Sequence, residues 1–184
     1  MSTGNPIFAI ARLAGLAVVG LGLSPLSSGG TDVAITLTSS AFTEGAMIPR
    51  KHTCDAEDIS PDLKWAGVPQ DAKSLALICD DPDAPVGTWV HWVLFNLPAD
   101  VSALPAGIPA DAVLHNGARH GKNDSRKLGY GGPCPPGGTH RYYFKLYALD
   151  TVLTLQSGST KAELLAAMKG HILAEAQLMG KYKR

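Results

Sequence analysis

Gly129-Tyr-Gly-Gly-Pro-Cys-Pro-Pro-Gly-Gly-Thr-His-Arg-Tyr142, continued by Tyr-Phe-Lys-Leu-Tyr-Ala-Leu149, decides the fold of this chain. The first half is glycine and proline. Prolines stiffen the backbone and glycines let it approach a ligand closely, so a rigid, irregular loop is expected rather than a linker. From Arg141 the composition turns aromatic and apolar, and Arg141 to Leu149 is the longest strand candidate in the chain. His140 and Tyr142 stand two apart, so on a strand they share a face. Together they offer ring N–H and phenolic O–H donors to an anion.

Working outward, the same kind of short apolar run recurs. Trp89 to Leu97 is aromatic and β-branched and stops at Pro98. Ser74 to Cys79 reads as a buried strand, while Asp62 to Ala66 and Val33 to Thr38 alternate with period two. Downstream, Thr160-Lys161-Ala162-Glu163 has the form of a capping box. Leu164, Leu165 and Met168 then make an apolar stripe, with Gly170 as a stop. Ala174 to Met179 is a final strand candidate, and Lys181 to Arg184 reads as a solvated tail. Strands dominate and regular helices do not separate them. A mainly β fold follows, an antiparallel Greek-key β-sandwich with a C-terminal helix and few peripheral helices.

No repeat or change of composition divides the chain after residue 31, so residues 31–184 form one expected domain, large enough to bury a core. Residues 1–30 stand apart. Arg12 is the only charge between Ile7 and Leu23, the run Leu13 to Leu23 is apolar, and small residues follow. This is the order of a signal peptide, though Pro25 spoils the cleanest cleavage register. Export to a periplasmic or secreted location is the expectation, against a disordered extension of a cytoplasmic protein or an uncleaved membrane anchor.

Sixteen basic residues balance sixteen acidic ones, so no net field draws in nucleic acid or an acidic membrane surface. Cys79 sits in an apolar run and reads as core; Cys54 and Cys134 lie in polar, turn-rich segments and are the candidate disulfide of an exported protein. No C-x-x-C, H-E-x-x-H or G-x-S-x-G occurs, so neither a redox pair, a zincin nor a serine hydrolase is indicated. Two further segments hold polar groups. Asp80-Asp81-Pro82-Asp83-Ala84-Pro85 is, taken alone, a polar turn, and Ala84–Pro85 is a candidate cis bond. In Trp89-Val90-His91-Trp92, alternation places Trp89, His91 and Val93 on one face.

Read together, these segments resemble a known family. "DPDAP" at 81–85, "HW" and "VLFNLP" at 91–98, "GYGGPCPP" with "HRYYFKLYALD" at 129–150, and "TCDAEDISPDLKW" at 53–65 resemble the phosphatidylethanolamine-binding proteins. The branch they are most similar to is the bacterial, Raf-kinase-inhibitor-like one. The resemblance runs from about Phe42 to the C-terminus. It implies a pocket for phosphate-like groups in which Asp81, His91, His140 and Tyr142 hold the ligand, with walls from Asp83, Trp89 and the Gly132–Pro136 loop. It also places the Cys54 and Cys134 loops at one pocket mouth. Ala56, where relatives often have Gly, and the short Pro136–His140 connection depart from the pattern.

The resulting expectation is a binding module for a small anion or phosphorylated headgroup, with a donor-rich, carboxylate-poor floor and no cofactor or metal. Imidazolium donors there would weaken binding as pH rises. The alternative is a metal-assisted hydrolase using Asp81, His91 and His140. A third reading, regulation of a protein partner such as a kinase or protease, is inherited from the family name, and no partner can be read from the residues.

Overall fold

The computed structural model describes residues 34–184. The expected signal peptide, and Val33 of the first expected strand, lie outside the described residues. Nine elements follow in chain order: β1 (Thr36–Thr38), β2 (Leu63–Ala66), β3 (Ser74–Asp81), β4 (Trp89–Pro98), β5 (Ala103–Leu104), β6 (Arg119–His120), β7 (Thr139–Leu149), α1 (Lys161–Met168) and β8 (Ile172–Lys183). One 3-10 turn, Arg50–His52, precedes β2. The strands form two sheets, β1-β2-β5 and β6-β4-β3-β7-β8, with every strand pair antiparallel. After the β3–β4 hairpin the chain visits β5 and β6 before β7 returns to the far side of β3. This is the long return on which Greek-key sheets are built.

β3 lies in the middle and is buried at all eight positions. A central strand covered on both faces reads as a continuous apolar run rather than an alternation. Leu75, Leu77 and Cys79 face the small sheet and pack with Leu37, Leu63 and Trp65. Ala76 and Ile78 face the other way, toward Leu164 and Met168 of α1. The larger sheet thus has the second sheet on one side and the helix on the other. α1 begins as expected: the Thr160 hydroxyl accepts from the Glu163 amide, and the Glu163 carboxylate accepts from the Thr160 amide. Leu165, expected in the buried stripe, is exposed; Leu164 and Met168 alone carry the contact. The helix is not the last element, because β8 follows it. No helix among the described residues is long and apolar enough to cross a membrane.

Three other readings are corrected. The terminal Lys181–Arg184 is not a solvated tail. β8 runs to Lys183, Tyr182 is buried opposite His140, and the Ile48 amide donates to the Lys181 carbonyl at 2.7 Å. The Ala84–Pro85 bond is trans, since no cis peptide occurs among the described residues. β4 does not alternate cleanly. Cys79 pairs with Trp92 and Asp80 with Val90, which leaves His91 as the extra residue of a β-bulge. Val90 and Val93 go to the α1 side, while His91 turns to the side of Tyr142, not that of Val93.

Candidate functional site

The bulge sets the site. It turns His91 out of the ladder near the start of β4 and lets its Nδ1–H donate to the Gly131 carbonyl at 2.7 Å. A carbonyl only accepts, so the proton sits on Nδ1, and Nε2 makes no hydrogen bond among the described residues. Burial is the largest influence on this ring and lowers its pKa below the ordinary histidine value, against weaker opposing effects led by the Gly131 bond. His140, at the start of β7, is held the same way, with Nδ1 2.7 Å from the Asp81 carboxylate at the end of β3. The other Asp81 oxygen accepts the Asp83 amide at 2.8 Å, so the Asp-Pro-Asp turn braces the carboxylate that braces the imidazole.

These three residues line one cavity of about 430 Å³. Trp89, Gly132 and Pro136 stand in its wall, as the motifs implied. Two expected members do not. Asp83 turns away and grips Arg141: one oxygen accepts the Arg141 amide at 2.9 Å and Nε at 2.8 Å, the other accepts Nη2 at 2.6 Å. Those guanidinium bonds hold the Asp83 carboxyl down at about 2. Tyr142 shares its face of β7 with His140 but lies fully buried below the cavity, its ring edge-on to His91 at 5.2 Å between centroids. Its hydroxyl makes no hydrogen bond among the described residues, and burial, followed by the nearby Asp81 charge, pushes its pKa up.

The structure adds residues the motif reading did not assign. Asp58 and Lys127 both line the cavity. The Asp58 carboxylate accepts the Gly132 amide at 2.6 Å from a left-handed backbone with φ 56°. Aspartate tolerates that conformation better than most residues, the one available hint in "AEDISP". With Asp58 as well as Asp81 lining it, the cavity is not carboxylate-poor as expected. Gly132 has no room for a side chain: a Cβ would sit 2.5 Å from the Asp58 Oδ1 and 2.8 Å from the Thr53 Cα. The Tyr130 hydroxyl donates to the His52 carbonyl at 2.8 Å. Cys54 and Cys134 are joined by a disulfide, Cα atoms 5.4 Å apart, and both line the cavity, while Cys79 is a buried free thiol. No group of three or more His, Cys, Asp or Glu poised to hold a metal occurs among the described residues.

The chain is a β-sandwich with two histidines, His91 and His140, lining one cavity at the ends of β3, β4 and β7. The model of the phosphatidylethanolamine-binding protein family matches residues 38–183, and the chain belongs to that family. A protein of Methanothermobacter thermautotrophicus described as UPF0098 protein is 55% identical over 150 residues, covering 82% of this chain and 99% of that one. A UPF0098 protein of Chlamydia muridarum is 48% identical over 153 residues, 80% of this chain and 98% of its own. Two crystal structures are similar in fold. The phosphatidylethanolamine-binding protein homologue CT736 of Chlamydia trachomatis has a TM-score of 0.76 at 47% identity, and YbcL of E. coli 0.77 at 35%. Each match covers 82% of this chain and 98% of the other.

Proposed function

We propose that the cavity binds a small phosphate-like anion, free or as a phosphorylated headgroup, without covalent chemistry. One observation carries this reading. Two imidazoles are each anchored through Nδ1, by the Gly131 carbonyl and the Asp81 carboxylate, and line the same cavity with Nε2 free. Protonated, two such nitrogens are preorganised charge-assisted donors to one anion, and Lys127 adds a cation at the rim. The two carboxylates are less repulsive than their number suggests. Asp81 is engaged by His140 and by the Asp83 amide, and Asp58 by the Gly132 amide.

Isothermal titration with phosphoethanolamine and with inorganic phosphate tests the proposal, alongside His140→Ala. The expectation is one site per chain and loss of at least about tenfold in affinity in the variant, the worth of one charge-assisted hydrogen bond. No heat at millimolar ligand from the wild-type protein, at acid as well as neutral pH, would overturn it.

A further inference from the structure

The Cys54–Cys134 disulfide has a place in the fold that stability alone does not call for. Both cysteines are exposed, and both line the ligand cavity. The bridge ties the turn after Arg50–His52 to the glycine-proline loop before β7. That loop carries the Gly131 carbonyl, which fixes the His91 tautomer at 2.7 Å, only three positions before Cys134. It also carries the Gly132 amide, which Asp58 accepts at 2.6 Å. A short covalent path therefore leads from an accessible sulfur to the acceptor that decides which His91 nitrogen faces the ligand.

The surroundings favour chemistry at this bond over inert burial. The Arg184 Nη1 lies 3.8 Å from the Cys134 Sγ, and the Arg184 guanidinium is itself held by Asp55, with Nε to Oδ1 at 3.1 Å. A guanidinium beside sulfur stabilises the thiolate and makes that cysteine the better leaving group. The Cys54 sulfur is the complementary point of attack. The loop does not depend on the bridge alone. The Cys54 amide donates to the Pro133 carbonyl at 3.2 Å, and Tyr130 holds His52. Opening the bond loosens the cavity wall without releasing the sandwich.

We propose that Cys54–Cys134 is a thiol–disulfide exchange site for an external dithiol, and that its redox state sets the ligand affinity of the cavity. A dithiol thiolate attacks the Cys54 Sγ, the S–S bond breaks, and its electron pair leaves on Cys134 beside Arg184. The second dithiol sulfur then closes on the mixed disulfide and expels Cys54 as a thiolate. The reductant becomes a disulfide, and the protein has gained two electrons and two protons. With the clamp open, the Gly131 amide still donates to the His91 carbonyl at 3.0 Å, but the Gly131 carbonyl pins the Nδ1–H of His91 less firmly, and the preorganisation of the donor pair falls.

The affinity half of this inference rests on the anion reading of the cavity, so the experiment includes a readout that needs no ligand. Native protein is treated with dithiothreitol and compared with Cys54→Ser/Cys134→Ser. Thiol trapping follows the bond, nitrogen NMR follows the His91 tautomer without ligand, and inorganic phosphate is titrated into each form. The expected result is two thiols trapped from the folded protein while Cys79 stays protected. His91 becomes a tautomer mixture, and phosphate affinity drops about tenfold as preorganisation is lost. Reduction no faster than global unfolding would overturn the exchange site. An unchanged His91 tautomer in both reduced protein and double variant would overturn the coupling. If no form binds phosphate, the anion reading fails, and the tautomer measurement still decides the coupling.

Discussion

At the scale of single residues, the chemistry turns on which proton each imidazole holds. Burial keeps His91 neutral to lower pH than a free histidine, so above about pH 6.5 its Nε2 is an acceptor, the wrong polarity for an anion. Binding must bring a proton with it. Sulfate affinity is therefore expected to rise as pH falls through and below about 6.5, with proton uptake visible as a dependence of the titration heat on buffer ionisation enthalpy. Sulfate keeps its charge across this range, so the trend belongs to the protein; an affinity flat from about pH 5 to 8 would leave neutral donors as the source of binding. Tyr142 makes the opposite test. Its hydroxyl is buried without a partner, so Tyr142→Phe should leave sulfate affinity within about twofold and stability unchanged or raised by up to about 1 kcal/mol. A large loss of affinity would put the phenol back among the ligand donors. The family resemblance that the three motifs carry is what singles out Asp81, His91 and His140 together; taken alone, the Asp80–Pro85 segment reads as a polar turn. Alternation gave Tyr142 its face but not its depth. It gave His91 the wrong face, because one bulge residue reverses the parity of everything beyond it.

At the scale of elements, long strands could be read and short ones could not. β3, β4 and β7 each carry a sustained apolar or aromatic run, whereas β5 and β6 are two residues each, too short for any periodicity to register. β8 was half read. Its last turn of pattern, Gly180-Lys-Tyr-Lys183, is itself period two, but its two lysines pass for a tail unless the burial of Tyr182 is known. What holds this end is an absence of side chain. A Cβ on Gly180 would meet the Ile48 Cγ1 at 2.5 Å and the Phe42 ring at 2.8 Å, so the 46–48 segment packs directly on the strand. Gly180→Ala is expected to cost roughly 1–3 kcal/mol through overpacking in a filled core. Urea unfolding measures it, and a shift below about 0.5 kcal/mol would mean that Ile48 swings away freely.

At the scale of the whole molecule, two linked equilibria set how much acid and reductant the fold tolerates. Burial lowers the pKa of His52, His91 and His120, each nearly or wholly inaccessible. Below about pH 6.5 the unfolded chain binds protons that the native state refuses, so stability falls with acid by up to about 1.4 kcal/mol per pH unit per histidine until each native pKa is passed. Above that range the three rings are neutral in both states and add no slope. Chemical unfolding at about pH 7.5 and pH 5.5 should show the loss, and equal stabilities would contradict the assignment of these rings as buried and neutral. The disulfide acts on the other side of the equilibrium. Cys54 and Cys134 are 80 positions apart, and closing a loop of that length removes unfolded-chain entropy worth about 4 kcal/mol. Domains of this size are stable by about 5–15 kcal/mol, so the reduced protein is expected to stay folded, as a reversible exchange site requires. Its melting temperature should fall by roughly 8–16 °C relative to the oxidised form. Thiol counting in denaturant without reductant should find only Cys79. Three thiols in freshly prepared protein, or a melting curve indifferent to reductant, would show that the bridge does not form and remove the covalent link between the two pocket loops.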